Sequence, residues 1–235
     1  MKKFLGLTIA FVIFFVIGMA KNELINVFND SYSLPVVSYD INEIPDYQGK
    51  AFVYLNDNKP NFTEEDYNSD TFESYSDLDY LGRCGIAFAN IDRSLMATEE
   101  RGSIGMIKPS GWHTVKYDIV SGKYLYNRCH LIGYQLTGEN ANEKNLITCT
   151  RAMNSEVMLD FENEVAEYIK NTNNHVLYRV TPVFEKENLL ATGVIIEVSS
   201  VEDRGKSLSY NVFIYNVQDG IEIDYKTGES KLINN

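Results

Sequence analysis

Hydrophobic positions along the chain fall into short runs broken by turn-forming residues, with one longer amphipathic stretch among them. Ala51-Phe52-Val53-Tyr54-Leu55 is an apolar and aromatic run ended by Asn56-Asp57-Asn58, which predicts a strand. Ile86-Ala87-Phe88-Ala89 predicts a second. Between them, residues 62–80 are acidic and tyrosine-rich and read as a short helix or an ordered loop. Pro109-Ser110-Gly111 marks a turn between segments 101–108 and 112–117. Residues 125–133 place apolar side chains on both sides of Arg128 and His130. Val157, Met158, Phe161, Val165, Tyr168 and Ile169 then recur at helical spacing, predicting a helix from about Ser155 to Lys170. Asn154 and Ser155 suit its N-terminus, and residues 171–174 end it. Strand-like runs follow at 176–183, 189–198 and 210–217. Strands, one helix, then more strands predict an α+β domain with a mainly antiparallel sheet.

The N-terminus differs from the rest. Lys2 and Lys3 precede an uncharged run from Phe4 to Ala20 that ends in Gly18-Met19-Ala20. Residues 1–20 therefore read as a secretory signal peptide or an uncleaved N-terminal membrane anchor. Residues 21–38 read as a linker and 39–235 as the folded domain. Either form of the leader places the domain outside the cytoplasm, secreted or at the cell surface. The three cysteines, Cys84, Cys129 and Cys149, allow one bridge at most, and spacing does not choose the pair. No Cys/His spacing suggests zinc.

Charge sharpens the picture. The chain of 235 residues has a formal net charge of -12, which by itself opposes a polyanionic partner. The charge is uneven, however. Residues 21–100 hold 5 basic and 16 acidic side chains, whereas residues 101–153 hold 7 basic and 3 acidic, a net of +4. The one basic stretch contains the candidate chemistry.

That chemistry centres on one of three histidines. His130 lies in Asn127-Arg128-Cys129-His130 and is followed by Asn145, Asn154 and Glu162. Phosphodiester hydrolysis needs a base that titrates near neutrality, a hard cation held by oxygen, and a donor for the phosphate. His130, Asn154, Arg128 and Glu162 supply those parts. Read singly, each has a plainer role. Asn154 suits a helix cap, Glu162 a solvated helix face, Arg128 and Arg101 ion pairs with nearby acids, and Asn145 a turn. Trp112-His113 offers a stacking platform for substrate but reads first as core or edge packing, and His175 reads as structural.

Taken together, these residues resemble the bacterial DNA/RNA non-specific endonucleases of the ββα-metal (His-Me finger) class, whose signature is Asp-Arg-Gly-His followed by an Asn at a helix start. The resemblance is closest to exported nucleases of Gram-positive bacteria. It runs roughly from Arg83 to Gly228 and includes 101–105 and 109–113. It implies a ββα-metal finger within the sheet domain and the substrates DNA and RNA. It also implies a Mg2+ cofactor, with Mn2+ as the alternative, and no protein partner; a membrane is involved only if the leader stays uncleaved. His130 would activate water, Asn154 would hold the metal, and Glu162, with Glu164 as fallback, would orient metal-bound water. Arg128 would act on the phosphate or its transition state; Arg101 would contact substrate, and Asn145 would support the site or touch substrate. Two positions depart from the signature: Asn127 stands for Asp and Cys129 for Gly. The first implies less negative charge near the metal, the second a possible bridge beside the base. The competing reading is an extracellular binder that holds nucleic acid without cutting it. A third is an exported adhesin or toxin-like factor, for which nuclease chemistry is incidental and the acidic, tyrosine-rich segment before Tyr80 is the interaction surface.

Overall fold

The structure, a computed structural model, describes residues 44–68 and 70–233. The leader expected over 1–20 and the linker expected over 21–38 lie outside the described residues. No described helix is long and apolar enough to cross a membrane.

Ten strands and two α-helices are described. In chain order they are β1 (Phe52–Tyr54), β2 (Phe72–Tyr75), β3 (Ala87–Ile91), β4 (Tyr126–His130), α1 (Tyr134–Thr137) and β5 (Leu146–Thr150). Then come α2 (Leu159–Thr172), β6 (Val176–Val183), β7 (Gly193–Ser200), β8 (Ser209–Tyr215), β9 (Ile221–Ile223) and β10 (Ser230–Leu232). Six strands form one antiparallel sheet in the order β1-β8-β7-β6-β3-β2. The expected α+β class with a mainly antiparallel sheet is what forms.

Strand alternation decides which side chains meet the helix. Val176, Tyr178 and Val180 of β6, Val194, Ile196 and Val198 of β7, and Tyr210, Val212 and Ile214 of β8 point to one face. Val165, Ala166 and Ile169 of α2 close over them, so this layer is the main core. The opposite face carries a buried cross-strand pair, Arg179 and Glu197, in direct register. Burying two charges is unfavourable unless every group is satisfied. Here Asn61 donates its backbone N–H to Glu197 and accepts from Arg179 at 2.8 Å, while Phe62 lies under the guanidinium. The acidic segment around residue 61 is thus pinned across the sheet as a cover. Of the short helix or ordered loop expected over 62–80, its continuation is closer to the ordered loop, with a strand that neither reading contained. It forms one 3-10 turn, Asp66–Asn68, and then the edge strand β2.

A second layer is the β4–β5 hairpin, which stands apart from the large sheet and leads into the helix. Cys129 and Cys149 form a disulfide across it with Cα atoms 5.9 Å apart, and both are fully buried. The pairing that sequence left open is therefore Cys129–Cys149. A bridge enclosing 20 residues removes about 3 kcal/mol of unfolded-chain freedom. Cys84 remains a buried thiol that donates to the Leu146 carbonyl, and burial pushes it up to about 12.

The helix begins earlier than its apolar period suggests. Thr150 caps it, its hydroxyl accepting from the Met153 N–H at 3.1 Å, so Asn154 is not the cap. Met153–Met158 then form a π-helical turn that runs on into α2.

Candidate active site

Hairpin, loop and helix converge on His130. It is the last residue of β4, pairs with Leu146 of β5, and is only 6% exposed. Its ring is held from both sides. Nε2 lies 2.8 Å from the Asn140 carbonyl, and Nδ1 lies 3.3 Å from the Arg101 guanidinium. A carbonyl only accepts and a guanidinium only donates. Nε2 must therefore carry the proton, and Nδ1 must present its lone pair. Burial, with the Arg101 charge adding to it, lowers the imidazole pKa to about 4, although the Asn140 bond opposes the shift. His130 is consequently a neutral, oriented proton acceptor across the physiological range.

Glu162 is brought to the same place from α2. Its carboxyl lies against the Cα of Gly133, where a methyl group would come within 2.8 Å of Oε1 and closer still to Oε2. Burial raises its pKa to about 8, while the Arg101 charge pulls the other way. Arg101, on an exposed loop, thus couples electrostatically to both His130 and Glu162.

The π turn bears on Asn154. On a regular α-helix, eight residues at ~100° each would leave Asn154 and Glu162 about 80° apart around the axis. A π turn winds more slowly, so the two positions swing towards one face. No hydrogen bond to a described residue occupies the Asn154 amide.

Two expected site residues act differently from expectation. Asn145 is fully buried, donating to the Ile132 carbonyl at 3.0 Å and accepting the Ile132 N–H at 2.9 Å. It clamps the chain just after His130 and cannot reach substrate, which corrects the expectation of a substrate contact in favour of support. Arg128 shares a strand face with His130, but it finds no acid. Its guanidinium donates to the Ile107 and Gly105 carbonyls and stacks on Trp112 at 3.9 Å. These contacts anchor the 105–112 loop beside His130. The two departures from the signature, Asn127 and Cys129, alternate onto the other face of β4. The loss of a carboxylate at Asn127 is therefore directed away from His130.

Trp112 lies in the small cluster around Leu125 and Tyr126, and His113 donates from Nε2 to the Thr227 carbonyl. His175 pairs with Glu202 at 2.8 Å. All three have the structural roles that sequence suggested. Sequence reasoning missed Asn140 and Gly133. Asn140 acts through its main chain, which carries no residue signature. Gly133 was visible only as the end of an apolar run.

Gly133 has φ -58° and ψ 144°, a conformation that alanine adopts freely. Gly133→Ala should therefore leave the melting temperature almost unchanged but displace the Glu162 carboxyl. A shift of about 1 Å at such a site costs up to ~100-fold, so kcat should fall by about ten- to a hundredfold. Steady-state kinetics beside a thermal melt would check this, and an unchanged kcat would show that the carboxyl's position is not critical.

This geometry can be set beside known proteins. The family model described as DNA/RNA non-specific endonuclease matches residues 63–202, more than half of the chain. The chain belongs to that family. Among solved structures, NucA from Streptococcus agalactiae with magnesium ion bound is 27% identical, with a TM-score of 0.69 over 78% of this chain and 87% of that one. Its form with no metal bound is also 27% identical, with a TM-score of 0.70. Sda1 nuclease with bound zinc ion shares the fold at 24% identity, with a TM-score of 0.65 over 79% of this chain and 97% of that one. As a member of the family, this endonuclease is a hydrolase acting on nucleic acid, and His130 lies inside the matched region.

Proposed function

We propose that the chain is an exported, divalent-metal-dependent nuclease that hydrolyses phosphodiester bonds of DNA and RNA with little sequence preference. His130 is its general base. The observation that carries this reading is the held imidazole, whose Nε2 proton is fixed on the Asn140 carbonyl and whose Nδ1 faces the loop of Arg101.

Nδ1 takes a proton from a water as that water's oxygen bonds to phosphorus. The bond to the leaving oxygen then breaks. In the free protein Arg101 donates to the same lone pair, so an incoming phosphate, which attracts the guanidinium more strongly, frees the base as it binds. Arg101 then offsets the charge that builds on the phosphate oxygens. Glu162 accepts hydrogen bonds from water and holds it in the site. Arg128 keeps the neighbouring loop in place and has donors left for the phosphate.

The donor set fits a hard cation. No group of three or more His, Cys, Asp or Glu side chains among the described residues is arranged to hold a metal, as a structural zinc site would require. Instead, the Asn154 amide oxygen accepts no hydrogen bond from a described residue, and Glu162 follows it eight residues on along the same helical segment. That set suits Mg2+ with most of its ligands from water, and Mn2+ by the same logic. Asn154 would hold the ion, which when bound stabilises negative charge on the phosphate and the leaving oxygen. The magnesium ion in NucA supports the same reading. Export follows from the charged start and the uncharged run from Phe4 to Ala20.

Incubation of the purified protein with supercoiled plasmid and with single-stranded RNA tests the whole reading. Both should be degraded in Mg2+ or Mn2+, and neither in EDTA. Cutting that persists in EDTA would refute metal dependence. Binding without cutting under either metal would leave the non-catalytic binder as the better account.

A further inference from the structure

We propose that the groove lined by Arg93 and Lys170 is a second phosphate-binding subsite, which holds the backbone of the substrate strand several nucleotides away from the bond being cut. The proposal rests on the nuclease reading above and adds to it a place where affinity for long substrates is generated.

The groove has a volume of about 410 Å³, and Arg93, Thr98, Tyr134, Gln135 and Lys170 supply its polar lining. It holds two cations and no carboxylate. The two other described grooves differ: one includes Asp70, and the other includes Glu156, Asp160 and Glu164. In a chain of net charge -12, a concave surface of purely positive sign is where a polyanion can settle. Neither cation is spent on an ion pair with a described residue. Arg93 donates to the Lys170 carbonyl at 3.1 Å and to the Asn173 side chain at 3.3 Å. It thereby offsets the negative end of α2, which would otherwise oppose an anion, and its other N–H groups remain available. Lys170 is exposed.

The groove is continuous with the catalytic residues. Tyr134 and Gln135 directly follow Gly133, on which the Glu162 carboxyl rests. The Tyr134 hydroxyl donates at 2.9 Å to the carbonyl of Glu99, two residues before Arg101. Gln135 donates at 3.0 Å to Asn163, the neighbour of Glu162. Glu162 and Lys170 are eight residues apart on one helix, which is about 12 Å along its axis. At ~3.4 Å of rise per nucleotide along a duplex axis, a duplex lying parallel to α2 covers that distance in three to four steps. Contacts of this kind read backbone and not base, so they raise affinity without adding sequence preference.

The test uses the full protein and two probes. A fluorescent 20-base-pair duplex in EDTA reports binding without cutting, and bis(p-nitrophenyl) phosphate with Mg2+ or Mn2+ reports the chemistry on a substrate too short to reach the groove. Lys170→Glu should weaken duplex binding by about five- to tenfold, and Lys170→Ala should reduce the slope of log affinity against log salt by about 1. Hydrolysis of the small ester should be unchanged, and on plasmid KM should rise while kcat stays. Lys186→Glu is the control for net charge. Lys186 is exposed beyond the far end of β6, about 26 Å of strand away. The subsite is overturned if Lys170→Glu weakens binding no more than Lys186→Glu, or if the wild type does not hold the duplex. Failure of the nuclease reading looks different, because the wild type would then leave the small ester intact under both metals.

Discussion

His130→Ala should lower kcat on plasmid by about a thousandfold, since positioned acid–base groups contribute some 10²- to 10⁴-fold. Affinity for uncut duplex in EDTA should change little. The side chain makes two hydrogen bonds, one through each ring nitrogen, and only Nδ1 presents the lone pair that the proposed chemistry would use. Its removal leaves the Asn140 carbonyl without a partner at a partly exposed loop, where water replaces the imidazole, so the expected loss of stability is about 1 kcal/mol. The fold should survive because the hairpin is tied by Cys129–Cys149 and by the Asn145 clamp, both independent of the imidazole. A variant that melts near the wild type and retains more than a tenth of its kcat would remove His130 from the reaction. The pH profile adds a second check. With its pKa at about 4, His130 stays a competent base well below its ordinary range. In kcat/KM, which reports the free protein, loss of rate with a midpoint near 6.5 would therefore contradict the burial of the imidazole.

The parts of the molecule that sequence revealed are those with long or repeated signals. β6, β7 and β8 alternate apolar residues over seven or eight positions, and α2 repeats them over four turns. β2 escaped because Phe-Glu-Ser-Tyr is an edge strand, half-buried on both sides, with no apolar face to count. α1, at four residues, is shorter than one helical repeat of hydrophobic positions can reveal. The candidate site divides in the same way. His130, Asn154 and Glu162 were singled out by residue type and by the resemblance to the endonuclease signature, and Arg101 by the resemblance alone. What each of them touches depends on groups without a side-chain signature: the Asn140 carbonyl, the bare Cα of Gly133 and the slow winding of the π turn. Asn145 and Arg128 came from the same resemblance; burial gives Asn145 the supporting one of its two expected roles, and main-chain partners hold Arg128 to the neighbouring loop. The groove of Arg93 and Lys170 could not be seen in any window of sequence, because 77 positions separate the two residues and neither lies in the basic middle of the chain.

Glu162→Gln should make the protein more stable and less active, and the stability gain should depend on pH. The carboxyl ionises near 4.5 when the chain is unfolded but only at about 8 in the folded, metal-free protein. The unfolded state therefore loses its proton first, and the folded state is progressively disfavoured as pH rises from 4.5 to 8. At pH 5 most of this penalty is absent, and Gln, which mimics the neutral acid, should change little. At pH 8.5 in EDTA the variant should be more stable by about 1–3 kcal/mol, a shift of 3.5 units being reduced by the partial exposure of the side chain. His130 works in the opposite window: its folded pKa is below the unfolded one, so its contribution is lost as pH falls from 6.5 to 4. Urea titrations at the two pH values separate the groups. The same substitution should reduce kcat by about a hundredfold, because an amide holds water less strongly than a carboxylate. Added Mg2+ should narrow the stability difference, since a cation near Glu162 favours its charged form. Equal stability of the two proteins at pH 8.5 would mean that the carboxylate is solvated in the folded state. If the difference appears and Mg2+ narrows it, the cost of holding a charge beside Gly133 and Arg101 is relieved by a cation, as the proposed metal site requires.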